Sequence, residues 1–123
     1  MSHTIVVIDD DSITLDIIVS ALEESLDVTV YSFQDSRMAK SFLTDPKAGR
    51  LDLVITDVQM PGYTGIEILA YMRRQQIKTP VMLVSAEGTR EVAVEAKRFG
   101  ANGFIVKPFK TDDLLQKVKT LLK

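Results

Sequence analysis

The sequence contains no cysteine and no long apolar run. Without cysteine, disulfide bonds, thiolate zinc sites and cysteine nucleophiles are excluded, so any bound metal ion must use oxygen ligands. No apolar run approaches the roughly 20 residues that a membrane-spanning helix needs. The amino terminus also lacks the basic and then apolar order of a secretory signal. These absences predict a cytoplasmic protein that does not interact with a membrane.

The charge of the chain is small in total but unevenly distributed. The net charge is −2, whereas residues 1–62 carry 11 acidic and 4 basic side chains and residues 63–123 carry 6 and 11. A nucleic-acid-binding domain usually has a strong overall basic balance, so direct nucleic-acid binding is not expected. The acidic excess in the first half favours a bound cation instead. A chain of 123 residues fits one domain, here 1–123, that buries about two-thirds of its unfolded surface.

The segment from Leu51 to Gly62, LDLVITDVQMPG, is the most informative stretch of the sequence. Its apolar, β-branched start is typical of a strand that is covered on both faces in a parallel sheet. Pro61 and Gly62 then predict a sharp turn, because proline fixes φ and glycine allows positive φ. Asp57 is therefore expected at the carboxyl edge of a buried strand, where open α/β sheets bind ligands.

Apolar runs and helical periodicity alternate along the whole chain. Five runs predict strands, at 4–8, 28–33, 51–56, 80–84 and 104–106. Five segments with helical spacing of apolar residues separate and follow them. This alternation predicts an α/β fold: a doubly wound, five-stranded parallel sheet with right-handed crossovers and helices on both faces.

Helix boundaries and inward faces follow from side-chain type. Residues expected to begin helices are Asp11 or Ser12, Asp35 or Ser36, Thr64 with Glu67 as a capping box, Gly88 with Thr89, and Thr111. Met38 is placed on the inward face of the second helix and Phe99 on that of the fourth. Gly100 is expected to end the fourth helix.

Polar side chains follow four of the five predicted strands. Asp9 and Asp10 follow the first strand, Asp57 ends the third, Ser85 ends the fourth and Lys107 follows the fifth. Three carboxylates at one sheet edge repel one another, and a divalent cation removes that cost. Magnesium suits this site because it takes one or two carboxylates, water and often a substrate phosphate. The lysine and the serine hydroxyl can hold phosphoryl oxygens.

Four motifs in this order resemble one family. IDDDS, ITDVQMPG, VSA and IVKPF, each at a predicted strand end, are together similar to the receiver domain of bacterial response regulators, the CheY-like family. The resemblance extends from Thr4 to Leu122. It implies the (βα)5 flavodoxin-like arrangement, for which CheY is a standard example, with strand order 2-1-3-4-5.

The resemblance implies a role for each acidic residue. Asp57 matches the phosphoacceptor, which takes a phosphoryl group from a histidine kinase or a histidine phosphotransfer protein. Asp10 matches the direct ligand of Mg²⁺, with Mn²⁺ as the alternative ion. Asp9 matches a residue that holds the ion through water, and Gln59 would contribute its backbone carbonyl. A protein of this kind is not an enzyme beyond its own phosphotransfer and dephosphorylation.

The remaining motif residues match the conformational switch of the family. Lys107 matches the phosphate-binding lysine, held by a cis bond to Pro108. Ser85 matches the switch hydroxyl and Phe104 the switch aromatic, although Phe104 also fits an ordinary core position. Phosphorylation is then expected to change the face formed by the fourth helix, the fifth strand and the fifth helix. That face would control an unknown output partner or effector domain, or form a homodimer on activation.

The first helix carries apolar residues outside its core stripe. Ile13 and Ile17 fit either partial burial against the fifth helix or scattered surface exposure. The resemblance implies a third interpretation, in which Ile13, Thr14 and Ile17 form a docking patch for the kinase. The sequence leaves these interpretations open.

The sequence also allows two alternative functions, a phosphatase and a scaffold. Asp9 to Ile13 approximates the DxDx[TV] nucleophile motif of haloacid dehalogenase-type phosphatases, which also use magnesium and an aspartyl phosphate. Such enzymes are usually longer and carry further acidic metal ligands downstream. A receiver that serves as a phosphorylation-independent scaffold is the second alternative, and it is disfavoured because every expected site residue is present.

Overall fold

The computed structural model describes residues 2–122 as alternating strands and helices. The strands are β1 (His3–Ile8), β2 (Val28–Phe33), β3 (Leu53–Asp57), β4 (Val81–Ser85) and β5 (Gly103–Val106). The helices are α1 (Ser12–Ser25), α2 (Ser36–Leu43), α3 (Gly65–Arg74), α4 (Arg90–Arg98) and α5 (Thr111–Leu121), with a short 3₁₀ turn at Pro46–Ala48. The predicted alternation of five strands and five helices is confirmed.

All five strands form one parallel sheet in the order β2-β1-β3-β4-β5. Val7 of β1 lies beside Ile55 of β3, and Asp57 of β3 lies beside Val84 of β4. The expected order 2-1-3-4-5 is therefore confirmed. Because the strands are parallel, their carboxyl ends share one edge of the sheet.

The three central strands separate two hydrophobic cores. Alternate residues such as Val6 and Val54 pack on one face with α2, α3 and α4. Their neighbours, such as Val7 and Ile55, pack on the other face with α1 and α5. This two-sided burial explains the nearly continuous apolar runs of the central strands. Among residues 2–122, no helix has both the length and the apolar character that a bilayer crossing requires.

Most of the predicted helix starts are confirmed by hydrogen bonds. Asp11 accepts from the backbone N–H of Ile13 at 3.2 Å, and Asp35 caps α2 in the same way. Thr64 and Glu67 form the reciprocal capping box, with bonds of 2.9 and 3.1 Å. Each bond satisfies a backbone donor that the first turn of a helix leaves without an intrahelical partner.

The prediction that Thr111 caps α5 is wrong. Thr111 is the first helical residue, and Lys110 occupies the cap position without a side-chain hydrogen bond. The carboxylates of Asp112 and Asp113 lie in the first turn. Their negative charge interacts favourably with the helix dipole and replaces part of what a side-chain cap supplies.

The inward placement of Met38 and Phe99 is also wrong. Met38 is 62% exposed, because the short helix α2 already covers the sheet with Ala39 and Leu43, one turn apart. Phe99 is exposed because it lies at the C-cap of α4, where the helix ends. Gly100 follows the cap in the left-handed region, with φ 96°. The C-cap is therefore Phe99 and not Gly100 as expected, and Gly100 is the left-handed residue that follows the cap.

Candidate functional site

The strand ends place the predicted polar residues at one edge of the sheet. Asp9 directly follows β1, Asp57 is the last residue of β3, Ser85 is the last residue of β4, and Lys107 follows β5. The backbone N–H of Lys107 donates to the carbonyl of Ser85 at 2.7 Å, which continues the pairing of the two strands. The parallel sheet thus brings residues from four separate segments to a common site.

Three carboxylates form the acidic part of this site. One oxygen each from Asp9, Asp10 and Asp57 lies within 4.8 Å of the others. Asp9 and Asp57 are buried, with 1% and 6% exposure, whereas Asp10 is exposed. The backbone N–H of Asp11 donates to Asp9 Oδ1 at 2.9 Å and orients that carboxylate. A group of close carboxylate oxygens with one open side is suited to a hard divalent cation.

Lys107 places its ammonium group between two of these acids. Its Nζ lies 3.1 Å from Asp9 Oδ2 and 3.4 Å from Asp57 Oδ1. Burial alone would lower the pKa of Lys107, but the hydrogen bond to Asp9 and the charge of Asp57 raise it above its ordinary value. The peptide bond from Lys107 to Pro108 is cis, as the resemblance implied. The lysine is therefore charged and directed at the acidic cluster.

The carboxyl group of Asp57 has a raised pKa, and within residues 2–122 only one of its two oxygens accepts a hydrogen bond. Burial, followed by the charge of Asp9, raises the pKa of Asp57 to about 6, against the opposing influence of Lys107. The N–H of Val58 donates to Oδ1 at 3.0 Å, the oxygen that also faces Lys107. Within residues 2–122 no donor binds Oδ2, and no buried side-chain oxygen there lacks a partner. Oδ2 therefore keeps some contact with solvent, although Asp57 as a whole is buried.

The hydroxyl group of Ser85 is turned toward the loops beside the acids. Its Oγ donates to Gln59 Oε1 at 3.4 Å and accepts from the backbone N–H of Glu87 at 3.0 Å. Ser85 is fully buried. Phe104, on the neighbouring strand, is partly buried and packs against the core beneath α3 and α4. The hydroxyl thus links the turn after β3 to the loop after β4.

The face of α1 nearest the acids is exposed. Ile13 is 70% exposed, and Ile17 is also exposed. Thr14 Oγ1 donates to Asp11 Oδ2 at 2.8 Å, and this bond lowers the pKa of Asp11. Of the three interpretations of this patch, burial of Ile13 beneath α5 does not match its exposure. Its role as a docking patch stays a prediction.

One contact near the site was not predicted from the sequence. Ser36 was considered only as a helix cap, yet Asp35 caps α2 and the hydroxyl of Ser36 bonds the turn after β3. Its partners are Pro61 and Tyr63, 25 and 27 positions away. The sequence signal is weak: a second small polar residue stands next to one that already suffices as a cap.

The model of the response regulator receiver domain matches residues 5–119. The chain belongs to this family. The match spans all five strands and every predicted site residue. Receiver domains are signalling modules and not enzymes in the usual sense. The phosphatase alternative is disfavoured, since both carboxylate oxygens of its nucleophile, Asp9, already accept hydrogen bonds.

Named relatives agree with the family match. The transcriptional regulatory protein FixJ of Bradyrhizobium diazoefficiens is 35% identical over 119 residues, which cover 97% of this chain and 56% of FixJ. The receiver domain of the putative response regulator NarL from Mycobacterium tuberculosis superposes with a TM-score of 0.89 at 28% identity, covering 98% of this chain and 96% of NarL's. The BeF3-activated receiver domain of DrrB gives 0.85 at 29% identity, with 99% and 98% coverage. The chain spans about half the length of the curated relatives that it matches from end to end.

Proposed function

We propose that residues 1–123 form a single receiver domain in which Asp57 accepts a phosphoryl group from a histidine kinase or a histidine phosphotransfer protein. One observation carries this proposal. The ammonium of Lys107 lies beside Oδ1 of Asp57, while Oδ2 of the same carboxylate has no donor among the described residues. Oδ1 is thus held in place, and Oδ2 is the oxygen proposed to attack phosphorus.

The proposed transfer is a nucleophilic substitution at phosphorus. Asp57 Oδ2 forms a bond to phosphorus as the bond from phosphorus to the imidazole nitrogen of the donor breaks. The bonding electron pair stays on that nitrogen. The nucleophile must be ionised, and a pKa of about 6 leaves Asp57 mostly ionised at neutral pH. Hydrolysis of the acyl phosphate later returns the carboxylate and releases inorganic phosphate.

The donor set of the site fits Mg²⁺, with Mn²⁺ as the alternative ion. Carboxylate oxygens of Asp9, Asp10 and Asp57 converge within 4.8 Å, and oxygen ligands are those that Mg²⁺ prefers. Asp10 and Asp57 would bind the ion directly, Asp9 would act through water, and Gln59 would add its backbone carbonyl. When bound, the ion supplies positive charge that stabilises the phosphoryl oxygens.

Phosphorylation is proposed to move Ser85 and Phe104. A phosphoryl oxygen offers the Ser85 hydroxyl a charged acceptor, which is stronger than the 3.4 Å contact with Gln59. Rotation of that hydroxyl would also release the N–H of Glu87 and reshape the loop before α4. Phe104 would then turn inward into the space that opens. Lys107 would hold the phosphoryl group from the other side.

The surface available for an output partner lies on α4, β5 and α5. Val94 of α4 and Val106 of β5 are both exposed there. Ile13, Thr14 and Ile17 form the proposed docking patch for the kinase, next to Asp57. Because the chain spans about half of relatives such as FixJ, control of an effector domain, of a separate partner or of a homodimer fits this surface. We expect neither nucleic-acid nor membrane contact by this domain, and a cytoplasmic location.

Phosphorylation with a small donor tests the proposal. The protein is incubated with acetyl phosphate and Mg²⁺, and the adduct is located by mass spectrometry of its peptides. We expect one phosphoryl group on Asp57, no adduct in Asp57→Asn, and no adduct when EDTA replaces Mg²⁺. Absence of any adduct in the unsubstituted protein would leave only the scaffold function. Multiple turnover abolished by Asp9→Asn but kept by Asp57→Asn would restore the phosphatase.

A further inference from the structure

The loop that carries Gln59 is anchored at its two ends by the sheet and by α3. The N–H of Val58 donates to the carbonyl of Val84 at 2.9 Å, and the N–H of Gly65 donates to the carbonyl of Val58 at 2.9 Å. Between these anchors lie residues 59–64. The part of this loop from 59 to 62 has no backbone hydrogen bond to another backbone group within residues 2–122.

Ser36 of α2 supplies the missing tether. Its hydroxyl donates to the carbonyl of Pro61 at 2.8 Å and accepts from the N–H of Tyr63 at 2.9 Å. The side chain is only 2% exposed. One hydroxyl therefore uses both its donor and its acceptor capacity on either side of Gly62.

The backbone conformation of Gly62 and its lack of a side chain allow this contact. Its φ is +83°, in the left-handed region that favours glycine, and a Cβ at this position would lie 2.7 Å from Ser36 Oγ. Any side chain would therefore displace the hydroxyl from the loop. The glycine of the MPG turn serves two needs, which are the backbone conformation and the close approach of Ser36.

A second residue of α2 holds the same loop from one turn further along the helix. Lys40 Nζ donates to the hydroxyl of Tyr63 at 3.4 Å and lies 4.5 Å from the centre of its ring. Tyr63 is thus bound through its backbone by Ser36 and through its side chain by Lys40. Helix α2 therefore holds the loop through two side chains, Ser36 and Lys40, although it contributes no residue to the acidic cluster.

We propose that Ser36 is a positioning residue for the metal site. It fixes the turn two residues after Gln59, so that the backbone carbonyl of Gln59 is held where the ion binds next to Asp57. This inference rests on the proposed function, because it assumes that the acidic cluster binds Mg²⁺. It assigns part of the metal affinity to a helix on the side of the sheet where the switch aromatic packs.

The role differs from a contribution to stability alone. Pro61 is exposed and Tyr63 is partly exposed, so water can replace the two hydrogen bonds that loss of the hydroxyl would break. Water satisfies the backbone groups but does not fix the loop at one position. Loss of Ser36 is therefore expected to affect the order of the loop and the ligand it carries more than it affects the fold.

The test compares two variants that each lose one hydroxyl. Ser36→Ala removes the tether, and Thr79→Ala removes a half-buried hydroxyl that bonds the carbonyl of Leu51 at 3.3 Å, before the amino end of the sheet. Mg²⁺ affinity is measured by titration with amide NMR, along with the hydrogen exchange rate of the Tyr63 amide. We expect about tenfold weaker Mg²⁺ binding and faster exchange in Ser36→Ala, as for outer partners of metal ligands. Thr79→Ala should bind Mg²⁺ as the unsubstituted protein does.

The outcomes separate this inference from the function on which it rests. If the unsubstituted protein binds no Mg²⁺, the metal site itself is wrong. If it binds Mg²⁺ and Ser36→Ala binds equally well, the metal site stands and the role of Ser36 is overturned. Equal weakening in Thr79→Ala would also overturn it, since general loosening would then explain the loss. Should Ser36→Ala fail to fold, Gly62→Ala breaks the same contact from the loop, and undiminished Mg²⁺ binding there would reject the proposal.

Discussion

Two partly buried cations lie at opposite edges of the sheet and have opposite surroundings. Lys107, at the carboxyl edge, forms ion pairs with two carboxylates, Asp9 at 3.1 Å and Asp57 at 3.4 Å. Arg73, at the amino edge, donates to four neutral oxygens at 2.7 to 3.0 Å. These oxygens belong to Ile77, Thr79, Gly100 and Asn102. Within residues 2–122, Arg73 forms no ion pair.

The difference separates a cation with a structural environment from one for which we propose a function. Arg73 joins the segment before β4 to the segment before β5, and its two terminal nitrogens bind four oxygens that do not change charge. Burial lowers the pKa of Arg73, and no acid opposes that effect. Lys107 instead meets an excess of negative charge, part of it on Asp57, the proposed phosphoacceptor. Burial with saturated neutral partners indicates structure, whereas burial with surplus charge indicates chemistry.

Replacing the functional cation should cause the largest change. Lys107→Ala is expected to abolish the response of the α4, β5 and α5 surface to phosphorylation, while Mg²⁺ binding stays within about threefold, because the lysine is not a metal ligand. The measurement compares amide NMR shifts of that surface with and without beryllofluoride, a phosphoryl mimic. The exposed Lys110 gives the control Lys110→Ala. A full response in Lys107→Ala would contradict the proposed role of Lys107 in the switch.

Replacing the structural cation should damage the fold and spare the site. Arg73→Ala leaves four acceptors without their donor and is expected to lower the free energy of unfolding by about 2–3 kcal/mol. Urea denaturation measures this loss. Its neighbour Arg74 is exposed at the end of the same helix, so Arg74→Ala should change stability by less than about 0.5 kcal/mol. Loss of phosphorylation in folded Arg73→Ala would show that the amino edge also serves the site.

Substitution of Asp57 by asparagine removes one negative charge from the acidic cluster. Its folded pKa of about 6 lies above the ordinary 3.8, so its contribution favours the folded state below pH 3.8 and is lost as the pH rises through 6. At pH 7.5, Asp57→Asn should therefore raise the free energy of unfolding by about 2 kcal/mol, since the pKa shift already includes the attraction of Lys107 and solvent screens part of its effect. The gain should shrink as the pH falls from 6 to 4. Urea denaturation across this range measures it, and a pH-independent gain would contradict the account.

Binding of Mg²⁺ should also offset the negative charge of the acidic cluster, with a smaller effect on the free energy of unfolding. At a concentration about tenfold above its Kd, Mg²⁺ should stabilise the folded protein by about 1.4 kcal/mol. Thermal denaturation with and without the ion measures this shift. Asp10→Asn should abolish it, whereas Asp16→Asn, at an exposed acid of α1 outside the cluster, should keep it. Stabilisation that survives Asp10→Asn would mean that the ion binds elsewhere.

The sequence was sufficient for the sheet and for the convergence of the site. Buried parallel strands have a continuous apolar pattern, and their carboxyl ends must meet, so Asp9, Asp57 and Lys107 could be placed together before the structure was known. The order of the strands came from the family resemblance, because periodicity does not encode it. The roles of these side chains in phosphorylation remain predictions.

What the sequence did not predict depends on contacts between distant segments. Met38 has an apolar side chain at helical spacing, yet the shortness of α2 leaves it outside the core. Thr111 fits a cap by type, but α5 begins one residue earlier than that cap would allow, with Lys110 at the cap position. The tethers formed by Ser36 and Arg73 reach partners up to 29 residues away, and no local pattern records them.

The bond between Lys107 and Asp9 joins residues 98 positions apart. During synthesis the acids emerge from the ribosome long before the lysine does, so a nascent chain that ends before residue 107 cannot form this ion pair. Only the arrival of β5 completes the charge balance. The complete site is in this way a property of the finished molecule, and we expect a chain shortened before Lys107 to lack the proposed response to phosphorylation.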